Sequence, residues 1–268
     1  MSGPELHFIG HSTVRIDLAG RRVLTDPVLT RRVGPLRRVV PLPDAPVWQG
    51  ADVVLISHLH GDHLHLPSLR QLGTDTRIVV PRGAGRWLRS HGFRRVDELA
   101  AGESLTDGGL RITAVPALHS GHRWGPRLTH GPDCAAVGHL VEGDGRSVYA
   151  AGDTDLFPGM AELGGRGIDL ALLPVWGWGP TLGPGHLDPE RAAEATARLR
   201  PRAAVPVHWG TLALPGSRSL PTRGRSRMRR MLVEPPRRFA TAVAARGLPT
   251  DVVVTQPGRA VALPIAVS

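Results

Sequence analysis

Four side chains able to bind a metal fall within six positions of this chain: His58, His60, Asp62 and His63, in the run Ser57-His58-Leu59-His60-Gly61-Asp62-His63. The run follows directly on Val53-Val54-Leu55-Ile56, an apolar and largely β-branched segment that reads as a buried strand. Packing gives no reason for such a density of imidazole and carboxylate at a strand exit. A strand that ends in a ligand cluster constrains the rest of the chain. The remaining ligands must arrive on other segments, and the fold must bring those segments to one edge.

Read in order, the chain supplies them. Leu6–Ile9, Thr13–Leu18 and Arg22–Thr25 read as short strands, the second alternating through Val14, Ile16 and Leu18. A loop rich in arginine and proline is expected from Val28 to Gly50. It is long enough to pack over a functional face. After the cluster come a short helix at Pro67–Leu72, a strand at Arg77–Val80, a helix at Gly85–His91 and strand at Leu110–Val115. Cys134–Glu142 and Ser147–Ala150 make a hairpin around Gly143-Asp144-Gly145, with Cys134 as a small strand residue. Ile168–Pro174 is another buried strand. Asp188-Pro189-Glu190 opens a helix that runs to Arg200, with Asp188 as its cap and proline at the first position. Ala203–Val207 is a strand, Pro235–Arg246 a helix, and Val252–Val254 and Ala260–Leu263 close the chain. Strands come first and alternation with helices follows, twice over. That order predicts two sheets covered by helices in a single domain over residues 1–268.

Four times a short apolar strand runs into His or Asp in a loop rich in Gly or Pro. The places are His58/His60/Asp62/His63, His119, Asp153 and His208. Borderline cations such as zinc take imidazole nitrogen and carboxylate oxygen. The two rings of His-x-His can converge on one ion, and His119 would complete three nitrogens around it. Asp62 and His63, further along, can face a second ion with His208. Asp153, with two oxygens, can bridge both. Asp155 rivals Asp153 but lies further from the strand exit. His122 rivals His119 and is read as a substrate contact. His186, in a glycine-rich loop before a helix, is read as a substrate-facing proton donor or oxyanion contact. Trp176 and Trp178 stand in the same loop and could form an apolar wall for substrate, as could Trp124 and Trp209.

The order His-x-His-x-Asp-His, then His, Asp and His, resembles the metallo-β-lactamase superfamily over most of the chain. Gly10-His11-Ser12-Thr13, Leu24-Thr25-Asp26-Pro27, His186-Leu187-Asp188-Pro189-Glu190 and Pro206-Val207-His208-Trp209-Gly210 look like the branch that holds ascorbate-6-phosphate lactonase and the N-acyl-phosphatidylethanolamine-hydrolysing phospholipase D. The resemblance implies an α/β fold, a four-layer αββα sandwich of two mixed β-sheets flanked by helices, with metals at one edge. It implies hydrolysis by a metal-bridging hydroxide, with two divalent ions about 3.5–4 Å apart. Zinc comes first, with manganese or iron as alternatives. Asp62 could accept the hydroxide proton while His186 serves the oxyanion or leaving group. His11 and Asp26 have matching places in the branch and support the metal shell or fix the loops; Asp26 reads as a turn and cap residue. The expected substrate is a small or lipid-like anion carrying a phosphoester, phosphodiester or lactone-type bond. A metal-dependent nuclease and a non-hydrolytic iron redox protein of the same fold are the alternatives.

The formal charge is +10, and every positive side chain is arginine. That usage, with many Gly, Ala and Pro, reads as genome-wide bias, so nucleic acid is not expected as a partner. Arginines crowd the segment Arg218–Arg230, leaving membrane or substrate contact there open. One cysteine, no apolar run of 18 residues and no leader pattern make the cytoplasm the expected compartment, with no transmembrane span. Whether the chain forms a homo-oligomer stays open.

Overall fold

Two seven-stranded sheets face one another. In the computed structural model the described residues are 5–123, 131–176, 182–216, 224, 228 and 230–262. The first sheet opens with an antiparallel meander, β1 (Glu5–Gly10), β2 (Thr13–Leu18) and β3 (Arg21–Thr25). It continues in parallel through β6 (Val53–Leu55), β7 (Arg77–Pro81) and β8 (Val96–Leu99). The second repeats that plan. Its antiparallel strands β9 (Ser104–Asp107), β10 (Leu110–Pro116), β11 (Val137–Gly143) and β12 (Arg146–Ala150) lead into parallel β13 (Leu170–Pro174), β14 (Ala203–Val207) and β16 (Asp251–Val252). The last strand, β17 (Arg259–Ala262), crosses back to pair antiparallel with β1.

Side-chain parity fixes the layers. Val23, Val53, Leu55 and Val79 join one apolar cluster with Ile112, Leu140, Val148 and Leu172 of the second sheet. Their neighbours Leu24, Val54, Ile56, Ile78 and Val80 point the other way. There they meet Leu69 of α2 (Leu66–Leu72), Leu88 of α3 (Gly85–Ser90) and Trp48 of α1 (Ala45–Trp48). Strands buried on both faces explain the near-continuous apolar runs. The outer face of the second sheet is covered by α4 (Met160–Gly164), α5 (Pro189–Leu199) and α6 (Pro235–Ala245), through Met160, Ala192, Leu199, Phe239 and Val243. Asp188 caps α5 by accepting the Arg191 amide at 2.8 Å, and Arg200 ends it in the left-handed region at φ 48°. The four-layer sandwich is therefore built as the pattern of strands and helices implies.

Three local readings change. The stretch Val28–Gly50 is not an unstructured loop: it holds β4 (Arg32–Val33), β5 (Leu36–Arg38) and α1, and β5 pairs with β15 (Leu212–Ala213) in a third small sheet. Val28, Val33, Leu36 and Leu212 bury one another there; strands two or three residues long carry no readable period. The sequence reading also passes over β8 and the one-turn α4. Cys134 precedes β11 rather than lying in it, and packs with the cluster under α2 and α3, where burial pushes its thiol up to about 11. Among the described residues no helix is long and apolar enough to cross a membrane.

Candidate metal centre

All seven candidate ligands arrive on segments leaving the C-terminal ends of strands: His58, His60, Asp62 and His63 after β6, His119 after β10, Asp153 after β12 and His208 after β14. Gly152 makes one of these approaches feasible. It holds φ at 62°, and a Cβ there would fall 2.4 Å from that of Ser57. The loop carrying Asp153 can thus lie directly against the one carrying His58.

The side chains form two groups around a shared carboxylate. In the first, His58 Nε2 lies 3.0 Å from His60 Nδ1, which lies 3.2 Å from His119 Nε2. In the second, His63 Nε2 lies 3.2 Å from His208 Nε2, and Asp62 Oδ2 lies 3.9 Å from the same His208 nitrogen. Asp153 Oδ2 is 3.2 Å from His208 Nε2 and 3.5 Å from His63 Nε2. His58, His63 and Asp153 also converge, with donor atoms within 4.8 Å of one another. Two donors bound about 2.0–2.1 Å from a tetrahedral ion lie about 3.3 Å apart. The observed spacings match the edges of such a polyhedron.

The outward ring atoms decide what these close approaches mean. His63 Nδ1 donates to Asp26 Oδ2 at 2.8 Å, His119 Nδ1 to the Gly185 carbonyl at 2.7 Å, and His208 Nδ1 to the Trp176 carbonyl. Carboxylates and carbonyls only accept, so in the neutral rings the proton sits on Nδ1 and the Nε2 lone pairs face inward. With His63 neutral, its Nε2 lone pair would face that of His208 at 3.2 Å, a clash that either a cation among them or a second proton on His63 relieves. Asp153 adds a second sign: its Oδ1 is buried and has no hydrogen-bond partner. A cation would satisfy an acceptor that is costly to leave bare.

Protonation follows the same logic. Burial holds His58 well below the usual imidazole range, with the charge of His63 adding to the effect. Burial also lowers His60 to about 4, His208 to about 3, and His119 below its ordinary value. His63 is the exception: burial lowers it, but Asp153 and Asp26 on either side carry it well above the ordinary range. For Asp62, burial acts upward and is outweighed by the hydrogen bond from His11 and the charges of His63 and His208. Asp153 is likewise carried well below the carboxylate range, by His208 and His63. Neutral imidazoles and ionised carboxylates are the forms that bind metal.

Asp26 is more than a turn residue. One oxygen accepts the Ser57 amide at 2.8 Å, and the other accepts Ser57 Oγ at 2.7 Å and His63 Nδ1. Ser57 Oγ in turn lies 3.0 Å from His58 Nδ1, so one carboxylate backs a ring in each group. His11 joins the second group, donating from Nε2 to Asp62 Oδ2 at 3.0 Å and lying ring to ring with His208 at 3.9 Å. Among the described residues His11, Asp26 and His208 are three of the six non-glycine residues with positive φ, so backbone strain gathers at this edge.

His186 also reaches the cluster, with Nε2 at 3.8 Å from Asp153 Oδ2 and its ring edge-on to His119 at 4.7 Å; its side chain is 29% exposed. His122 is exposed, bridges to Asp133 through its backbone and belongs to none of the candidate ligand groups. Trp176 is partly buried against the main core and serves His208 through its carbonyl. Trp178 and Trp124 lie outside the described residues. Asp155 is taken up by Arg191 and by a bridge to Leu118, so of these two carboxylates it is Asp153 that joins the candidate ligand groups.

Residues 21–209 match the β-lactamase superfamily domain. The UPF0173 metal-dependent hydrolase of Opitutus terrae is 36% identical over 213 residues, covering 77% of this chain and 85% of that protein. The N-acyl-phosphatidylethanolamine-hydrolyzing phospholipase D 1 of Caenorhabditis elegans is 32% identical over 237 residues, covering 78% of this chain and 65% of that protein. Igni18, a metallo hydrolase from the archaeon Ignicoccus hospitalis, shares the fold with a TM-score of 0.72 at 25% identity, over 97% of this chain and 98% of its own.

Proposed function

This chain belongs to the metallo-β-lactamase superfamily and is a metal-dependent hydrolase, and we propose that it holds two divalent metal ions and cleaves a phosphoester, phosphodiester or lactone-type bond. The observation that carries the two-ion reading is the convergence of inward lone pairs on both sides of Asp153, whose second oxygen has no other partner. His58, His60 and His119 would hold one ion, Asp62, His63 and His208 the other, and Asp153 both.

When bound, such a pair supplies a hydroxide nucleophile near neutral pH and positive charge for the developing oxyanion. The protein's own groups divide the remaining work. The buried rings of His58, His63 and His208 exclude water from the back of the site. Asp62, kept ionised, can take a proton at a carboxylate oxygen while His11 holds it in place. His186, next to Asp153, open to solvent on one side and with Nδ1 on the Gly183 carbonyl, can as an imidazolium give a proton from Nε2 to a leaving oxygen. The phosphodiester preference draws on the C. elegans relative, which hydrolyses N-acyl-phosphatidylethanolamine.

Elemental analysis of purified protein, paired with hydrolysis of bis-aryl phosphate, lactone and acyl-ester probes, tests this reading. The expected result is two ions per chain, zinc first, with turnover of at least one phosphate or lactone probe. A fully metallated sample inert across the panel would overturn the substrate class. Iron with oxidase activity would replace the hydrolytic reaction altogether.

A further inference from the structure

Arg123 follows His119 by four residues and reaches across to the other ligand-bearing segment. Its Nη1 donates to two backbone carbonyls, that of Leu59 at 2.8 Å and that of Leu64 at 2.7 Å. These carbonyls bracket His60, Gly61, Asp62 and His63, and both leucines are fully buried. A buried carbonyl needs a donor. The turn does not provide one, because the amides of His63 and Leu64 both go to the His60 carbonyl, at 3.0 and 2.9 Å.

The guanidinium is itself held. It lies 4.9 Å from the centre of the Trp87 ring on α3, a cation–π distance. On the returning side of its own loop, Gly131 leaves room for the stem, since a Cβ there would fall 2.4 Å from that of Arg123. Burial lowers its pKa, while the charge of Asp62 pulls it back up. Arginine usage across this chain is biased, and most of the described arginines are exposed. Arg123 differs because its hydrogen bonds end on the two carbonyls that frame three candidate ligands.

We propose that Arg123 is a positioning residue for the metal centre, clamping the Leu59–Leu64 turn so that His60 faces the ion that His119 also faces while Asp62 and His63 face the other. It couples the two segments by charge and hydrogen bonding. A lysine ammonium could donate to these carbonyls, but it lacks the planar guanidinium that lies over the Trp87 ring.

The inference rests on the metal-binding reading above, and the test separates the two. Metal-free wild type, Arg123→Ala and Arg123→Lys are titrated with cobalt(II), following the visible ligand-field spectrum and competing with a chromophoric chelator for affinity. Arg123→Ala is expected to bind cobalt about 10–100-fold more weakly, as losing an outer partner of a ligand does, with an altered spectrum. Arg123→Lys should recover part of both. Wild-type affinity and spectrum in Arg123→Ala would overturn the proposal. If Arg123→Ala does not fold, Arg123→Gln takes its place, and a wild-type spectrum and affinity there overturn it equally. If wild type itself binds no cobalt, the metal reading fails. The clamp is then read from amide hydrogen exchange at His63 and Leu64: faster exchange in the variant supports it, and unchanged exchange overturns it.

Discussion

The two halves of the candidate metal centre are built differently. The first group, His58, His60 and His119, offers only neutral nitrogens, and its outward contacts are a hydroxyl and a backbone carbonyl. His60 and His119 remain partly open to solvent. The second group, Asp62, His63 and His208, includes a carboxylate and is backed by a buried one, Asp26, with His11 bracing it from the side. The difference teaches where the electrostatic stakes lie. A charged, desolvated pair such as His63–Asp26 is costly to leave half made, whereas a neutral ring on a half-open face is not. The second half should therefore carry more of the fold's stability, and the first should be the half that can be emptied without structural cost.

The largest effect is expected where the halves meet. Asp153→Ala removes the carboxylate both groups share. It should lower bound metal below two per chain and reduce turnover by more than about 100-fold, beyond the usual loss of an outer partner. Retention of full metal and full activity would break the assignment of Asp153 to both halves.

The next comparison sets His63→Ala against His60→Ala in metal-free protein. His63 is fully buried on Asp26, so its removal should cost about 3 kcal/mol in urea unfolding. That is the lower end for breaking a buried pair, because Ser57 still donates twice to Asp26. His60→Ala should leave stability unchanged or slightly higher, since it removes one of the facing lone pairs. Equal costs would erase the contrast between the halves.

A pH experiment sharpens the same point behind the second half. His139 on β11 helps line a small buried pocket with Asp26, Ser57 and Ser12, and its Nε2 has no partner. Burial lowers it to about 4 from 6.5, with Asp26 acting the other way. Its folded pKa lies below its unfolded one, so between those values the unfolded chain holds the extra proton. Stability from this residue is present above pH 6.5 and is lost as pH falls toward 4, by up to about 3 kcal/mol. His139→Leu should abolish that portion of the slope, read as the difference between wild-type and variant urea midpoints across the window. Parallel pH profiles would show that the back of the site is wetter than its burial indicates.

The smallest effect is expected for Asp26→Asn. It should weaken the ion of the second group by about 10–100-fold. The first group, tied to Asp26 only through Ser57, should lose less. Chelator competition on the two-ion protein reads both.

What was legible in the sequence follows from the range of the interactions. The candidate ligands could be picked out because each stands just beyond a strand whose apolar run is local: His58 after Val53–Ile56, His208 after Ala203–Val207. The sheets could be read from the same runs. The support of the site could not. His11 meets Asp62 and His208, and Asp26 meets His63, across separations that no window spans. Trp176 and Arg123 act on or through backbone carbonyls, which leave no trace in residue type. The hairpin of β4 and β5 was hidden because its two short strands are held by a distant third, β15.

In the proposed arrangement one chain carries two ions on unequal halves around Asp153. A titration of metal-free protein with zinc, followed at once by elemental analysis and by hydrolysis of a bis-aryl phosphate, tests it most directly. Uptake of two equivalents per chain in two distinguishable steps is expected, with full activity only at the second. Saturation at one equivalent with full activity, or no tight uptake at all, would contradict it.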